Sequence, residues 1–157
     1  MLRSFDPNRL PPATVNSLAW SCALGPDALD DYDPLIRLAT RAAASRPEPN
    51  RLNTVGAILF RAGRFEEAIR QLDRAIQVHG AGGTQYDALF LAMTHHRLGH
   101  SDEARRWYDR ATSTPPAAMQ KPGATGDTSW IPRVELETLQ REAAAALGLG
   151  DTRAALP

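Results

Sequence analysis

A block of this sequence returns after 36 residues, and that repeat restricts the folds open to the chain. The segment 61–75 contains Gly63, then a Glu-Ala pair, and closes on Asp-Arg-Ala. The segment 97–111 contains Gly99 and the same later elements, and the two glycines are 99 − 63 = 36 positions apart. Self-similarity at this period predicts a repeat architecture, in which each repeat is one supersecondary unit packed against its neighbours.

The residues around these glycines follow a helical period. Apolar side chains recur three and four residues apart, which predicts helices at about 13–24, 34–45, 50–62, 65–78, 85–98 and 101–112. Gly63 is expected to adopt a left-handed conformation at the end of a helix. Asn50 is expected to cap the third helix, and Thr84 with Asp87 resembles a capping box before the fifth.

The repeated positions match a known pattern of large and small residues. In the first full copy the pattern residues are Leu52, Val55, Gly56, Leu59, Gly63, Ala68, Leu72 and Ala75. In the next copy they are Ala88, Leu91, Ala92, His95, Gly99, Ala104, Tyr108 and Ala111. A weaker upstream copy uses Leu18, Ala19, Cys22, Leu35, Ala39 and Ala42. This pattern resembles the tetratricopeptide repeat family, whose period is about 34 residues.

The resemblance implies an all-α fold, an α-solenoid of three tetratricopeptide-like helical hairpins and a C-terminal capping helix. The hairpins are assigned to 13–112 and the capping helix to 133–148, where a stripe of leucine and alanine suits the covering of a last hairpin. Residues 1–12 are predicted to be an irregular arm and 149–157 a tail. Residues 113–132 contain four prolines and two glycines, which predicts a linker.

Composition argues against several functional classes. The formal net charge is +0 at neutral pH, whereas a nucleic-acid footprint usually needs a basic face. No apolar run approaches the length of a membrane span. The chain has 1 cysteine, Cys22, so no disulfide can form within it. We therefore expect no nucleic-acid partner, no membrane insertion and a cytoplasmic location.

In this family, stacked hairpins turn the first helix of each repeat towards a concave groove. The resemblance implies that the groove binds a peptide or a helix of a protein partner whose identity the sequence does not give. The predicted protein-binding residues are Asn16, Trp20, Asn53, Phe60, Arg61, Tyr86, Leu89, Met93, His96 and Arg97. Aromatic residues, methionine and arginine are typical of interface hot spots. The oligomeric state stays open.

The sequence contains no recognisable catalytic set, so we expect no enzymatic activity and no cofactor. His96 and His100 are four residues apart, a spacing that can place two metal ligands on one helix face. Gly99 is expected to end the helix between them, so no metal site is predicted. The segment 80–83 is rich in glycine but lacks the Gly-Lys-Ser/Thr of a phosphate-binding loop.

Three other functions compete with simple binding. Residues 18–20 and 90–99 are also similar to tetratricopeptide segments of bacterial multidomain signalling proteins. That likeness implies a regulatory or sensory module that acts with a separate kinase. The second alternative is an enzyme with an unrecognised site. The third is self-association of the chain through the first helix.

Overall fold

The computed structural model describes residues 10–113 and 130–149, and within these ranges every regular element is a helix. The helices are α1 (Pro12–Ala23), α2 (Asp33–Ser45), α3 (Pro49–Arg61), α4 (Phe65–His79), α5 (Gln85–Arg97), α6 (Ser101–Ser113) and α7 (Trp130–Ala146). The all-α class is confirmed. The predicted arm at 1–12, linker at 113–132 and tail at 149–157 fall largely outside the described residues, and their assignment stays a prediction.

The chain divides between Gly80 and Ala81 into two compact units. The first unit holds α1 to α4 and the second holds α5 to α7. Only three residues separate α3 from α4, and three separate α5 from α6, so each of these pairs folds back as a helical hairpin.

In the first unit, α3 contacts α1, α2 and α4, and every residue from Leu52 to Leu59 is buried. The approach of α4 to α3 is tight at Gly56. A Cβ atom added there would lie 2.6 Å from Cγ of Leu72 and 3.3 Å from the carbonyl oxygen of Ala68. Leu72 and Ala68 are themselves fully buried. Small residues therefore set the spacing of this hairpin, as the repeat pattern predicts.

The two repeated glycines end their helices in the same way. Gly63 has a φ of 74° and Gly99 a φ of 77°, so the predicted left-handed conformation is confirmed for Gly63. In both turns the glycine and the residue after it donate their backbone N–H groups to carbonyls in the last helical turn, at 2.9 to 3.0 Å. This is the Schellman arrangement, which satisfies carbonyls that a helix end leaves without partners.

Of the two predicted caps at helix starts, one is confirmed and one is wrong. Thr84 and Asp87 form a full capping box, with the Thr84 backbone N–H donating to Oδ2 of Asp87 at 2.7 Å. Asn50 does not cap α3, because the helix begins at Pro49 and the residue before it is Glu48. Proline is favoured at the first helical position, since its fixed φ suits a helix and its missing N–H needs no partner there.

In the second unit, α5 contacts α6 and α7, and every residue from Asp87 to Thr94 is buried. On α7 the buried side chains are Leu136, Leu139 and Ala143. These three belong to the apolar stripe expected of the last helix, which begins at Trp130. The helices that the structure describes are too short or too polar to cross a membrane.

Replacing Gly56 with alanine is expected to destabilise the protein by about 1–3 kcal/mol, because the new methyl group overpacks against Leu72. Alanine also favours the helix by about 1 kcal/mol relative to glycine, but this gain is smaller than a severe clash in a closed core. The measurement is the free energy of unfolding in denaturant. Gly25→Ala is the control, since a Cβ there meets nothing within 4 Å. A Gly56→Ala protein as stable as the Gly25→Ala protein would contradict the prediction.

Replacing Tyr32 with phenylalanine is expected to leave stability unchanged or to raise it by about 1 kcal/mol. Tyr32 is 7% exposed, and its hydroxyl is the buried side-chain group without a hydrogen-bond partner among the described residues. An unmade hydrogen bond in the interior costs free energy that phenylalanine avoids. Thermal unfolding measures the change, and Tyr108→Phe, at a half-buried site, is the control. A clear loss of stability only in Tyr32→Phe would show that the hydroxyl has a partner.

Candidate functional site

The predicted binding residues of the first unit lie on α1 and α3, and three of them, Trp20, Phe60 and Arg61, are near the C-terminal ends of these helices. Nε of Arg61 donates a hydrogen bond of 2.7 Å to the carbonyl oxygen of Ala23, the last residue of α1. This bond joins the ends of α1 and α3, and the two bonded residues are 38 positions apart in sequence. It also places a positive charge at the negative end of the α1 dipole. Arg61 therefore has a structural role whether or not it contacts a partner.

The guanidinium group of Arg61 lies beside the ring of Phe60, which is in turn near the ring of Phe65. The Arg61 guanidinium carbon lies 5.3 Å from the centre of the Phe60 ring, and the Phe60 and Phe65 ring centres are 6.0 Å apart. Trp20 lies in the last turn of α1, and, like Phe60 and Arg61, it is half-buried. α1 and α3 are in contact, and we call the partly exposed predicted residues of these two helices, Asn16, Trp20, Phe60 and Arg61, the first-unit patch. It combines apolar rings, an amide and a charge on partly exposed surface.

Asn53 does not belong to this patch. It is 7% exposed and lies in the buried middle of α3. The prediction placed Asn53 on a face of α3 that is open to solvent. In the structure α3 has no open face there, because every residue from Leu52 to Leu59 is buried. The amide is therefore in the core, where polar groups are normally hydrogen-bonded.

The structure separates the predicted residues of the second unit into three groups along α5. Leu89 and Met93 are 0% and 1% exposed, so they are core residues and offer no surface to a partner. His96 and Arg97 are exposed at the end of the helix, and we call this pair the α5 end. Tyr86 lies near the start of the helix, about 15 Å from His96 at 1.5 Å per residue.

Tyr86 is half-buried, and its surroundings raise the pKa of its phenol to about 12. Burial is the larger cause, because it penalises the charged phenolate, and the negative charge of Glu135 on α7 adds to it. Tyr86 is therefore near enough to α7 to sense the charge of Glu135.

Sequence reasoning missed the pairing of two histidines in the second unit. His95 and His100 face each other with their Nδ1 atoms 3.2 Å apart and their ring centres 5.5 Å apart. The spacing of His96 and His100 had suggested a different pair. The missed signal is the glycine turn itself, because a Schellman turn brings the third-last helical residue beside the residue that follows the glycine.

Within residues 10–113 and 130–149 there is no group of three or more His, Cys, Asp or Glu side chains placed to hold a metal ion. A surface depression does lie at the start of α6. Its lining residues are Gly99, His100, Ser101, Asp102 and Glu103.

A family model described as "Tetratricopeptide repeat" matches residues 48–114, a span that contains α3 to α6. No curated protein matches the chain, and no solved structure matches it. The matched span thus covers the α3–α4 hairpin, the α5–α6 hairpin and both repeated glycines.

The Tyr86 phenol is expected to ionise only near pH 12, compared with an ordinary value of 10.0. The unfolded chain loses this proton first, so the stabilisation is complete below pH 10 and is lost as the pH rises towards about 12. Ultraviolet absorbance of the phenolate measures the ionisation, and denaturation at several pH values measures the stability. Tyr86→Phe should remove the late-ionising group and flatten the fall in stability. A titration that Tyr86→Phe leaves unchanged would contradict the assignment.

Proposed function

Since residues 48–114 are tetratricopeptide repeats, which generally mediate protein–protein interaction, we propose that this chain is a non-catalytic binding module for a peptide or a partner helix. The proposed contact lies against α1 and α3 of the first unit. The α5 end is a separate contact on the second unit. This proposal places the protein in the cytoplasm, with a protein as its partner and no cofactor.

The observation that carries the proposal is the first-unit patch. Trp20 and Phe60 keep part of their surface exposed at adjoining helix ends, and Arg61 is already fixed by its bond to Ala23. Fixed aromatic and arginine side chains lose little conformational entropy when a partner binds, which favours affinity. A large half-buried ring also offers apolar area while its position is held by the core.

The α5 end has a different chemistry. His96 and Arg97 are exposed in the last turn of α5, beside the carbonyl groups that close the helix. Arginine can bind a carboxylate through two parallel hydrogen bonds, so this end suits an acidic residue or a chain terminus of the partner. The finer proposal is therefore an apolar contact on the first unit and an acidic contact on the second.

A second candidate is a regulatory or sensory module of a bacterial signalling system that acts with a separate kinase. Its support is the likeness of residues 18–20 and 90–99 to repeats in such proteins. Residues 90–94 are buried, so there the likeness is one of core packing. Accessible surface within that likeness comes from Leu18, His96 and Arg97, which are exposed, and from Trp20, which is half-buried. The two candidates differ in outcome, because a regulatory module changes the activity of its partner and a simple binder does not.

The test compares matched variants in a capture experiment from source-cell lysate. Trp20→Ser removes the ring of the first-unit patch, and Leu18→Ser is its control, because Leu18 is 48% exposed on the same helix. Arg97→Glu reverses a charge at the α5 end, and Arg74→Glu does the same on the exposed side of α4. Bound proteins are identified by mass spectrometry, and circular dichroism checks that each variant is helical.

We expect a partner that the wild type and both controls retain and that Trp20→Ser loses, with weaker binding to Arg97→Glu. The captured segment, made as a peptide, should bind the wild type with the same order among variants in titration calorimetry. Loss in Leu18→Ser but not in Trp20→Ser would overturn the patch and move the contact to the outer face of α1. Equal capture by all five proteins would overturn both contacts.

A further inference from the structure

We propose that His95 and His100 form a two-imidazole site for a divalent transition-metal ion such as Zn²⁺, Ni²⁺ or Cu²⁺. Imidazole nitrogen is a preferred ligand of these ions. The site is built by the α5–α6 turn and is separate from the first-unit patch. It also differs from the pair His96 and His100 that sequence spacing suggests.

The distance between the two nitrogen atoms fits two ligands of one ion. With a metal–nitrogen distance of about 2.0–2.1 Å, two ligands lie about 2.9 Å apart at a right angle and about 3.3 Å apart at the tetrahedral angle. The two Nδ1 atoms are 3.2 Å apart, between these values.

The backbone holds this spacing without help from a metal. The His100 N–H donates to the carbonyl oxygen of His95 at 2.9 Å, and Gly99 between them has a φ of 77°. The two ligands therefore sit on a turn that is fixed in advance, which lowers the entropic cost of binding an ion.

A metal ion can take the place of the proton that the two Nδ1 atoms share. A hydrogen bond between two Nδ1 atoms needs one ring to donate and the other to accept. When an ion binds both Nδ1 atoms, the donating ring moves its proton to Nε2. That move is a change of tautomer and requires no net loss of a proton.

Two acidic side chains lie in the surface depression that contains His100. Asp102 and Glu103 line the same surface depression as His100 and bring negative charge to it. Glu103 also contacts Arg106, at 3.4 Å, which offsets part of this charge. No third side chain is grouped with the pair among the described residues, so water completes the coordination.

The probe is Ni²⁺ alone, titrated into the full chain by calorimetry. The wild type is expected to bind one ion more tightly than single histidines do, because the second imidazole binds within the same molecule. His100→Gln should weaken this binding by about a hundredfold. His100 is exposed, so this variant should fold, and circular dichroism checks that it does.

His96→Gln is the matched control, because His96 is exposed at the same helix end but lies outside the pair. It should bind Ni²⁺ like the wild type. Equal affinity in the wild type and His100→Gln would overturn the site. A loss in His96→Gln as large as that in His100→Gln would overturn the pairing.

Discussion

The close packing of α3 against α4 at Gly56 is the contact on which the first unit depends. There is no room for a methyl group between this glycine and Leu72. The lack of a side chain at position 56 therefore allows the close approach of the two helices. α3 is also in contact with α1 and α2, so it is the central helix of the first unit. A helix in this position must be apolar or small along most of its middle, as 52–59 are apart from Asn53 and Thr54.

Burial of the central helices limits where a partner can bind. In α3 and in α5 the middle residues are inaccessible, and exposed surface returns only towards the helix ends. Trp20, Phe60 and Arg61 are near such ends, and so are His96 and Arg97. A binding surface drawn from the repeat pattern alone counts every position on one helix face. Of the predicted residues on α3 and α5, those near the helix ends are the ones that keep accessible surface.

Local rules predicted much of the fold. The helical period, the left-handed glycine and the capping box depend on residues within a few positions of each other, and the sequence contains that information. The burial of Leu89 and Met93 does not follow from such rules, because it requires knowing how many neighbours surround α5. The bond from Arg61 to Ala23 spans 38 residues, and no local pattern signals it. Asn50 failed as a cap since two local rules competed and the proline decided the start of the helix.

The two repeated turns have the same backbone hydrogen bonds but different side-chain interactions. Gly63 and Gly99 impose the same pair of backbone hydrogen bonds, so the residue after each glycine occupies an equivalent position. After the first glycine, Arg64 binds Glu67 through two hydrogen bonds of 2.6 and 2.7 Å and reaches Asp33 at 3.4 Å. After the second, His100 pairs with His95 instead.

The glycine fixes the path of the chain, but it does not choose the side chain that follows. A different residue at that position therefore changes the side-chain interaction at the turn, as Arg64 and His100 do, on the same backbone hydrogen bonds. Repeats of this kind keep a constant framework at the turn while the chemistry displayed there differs from one copy to the next.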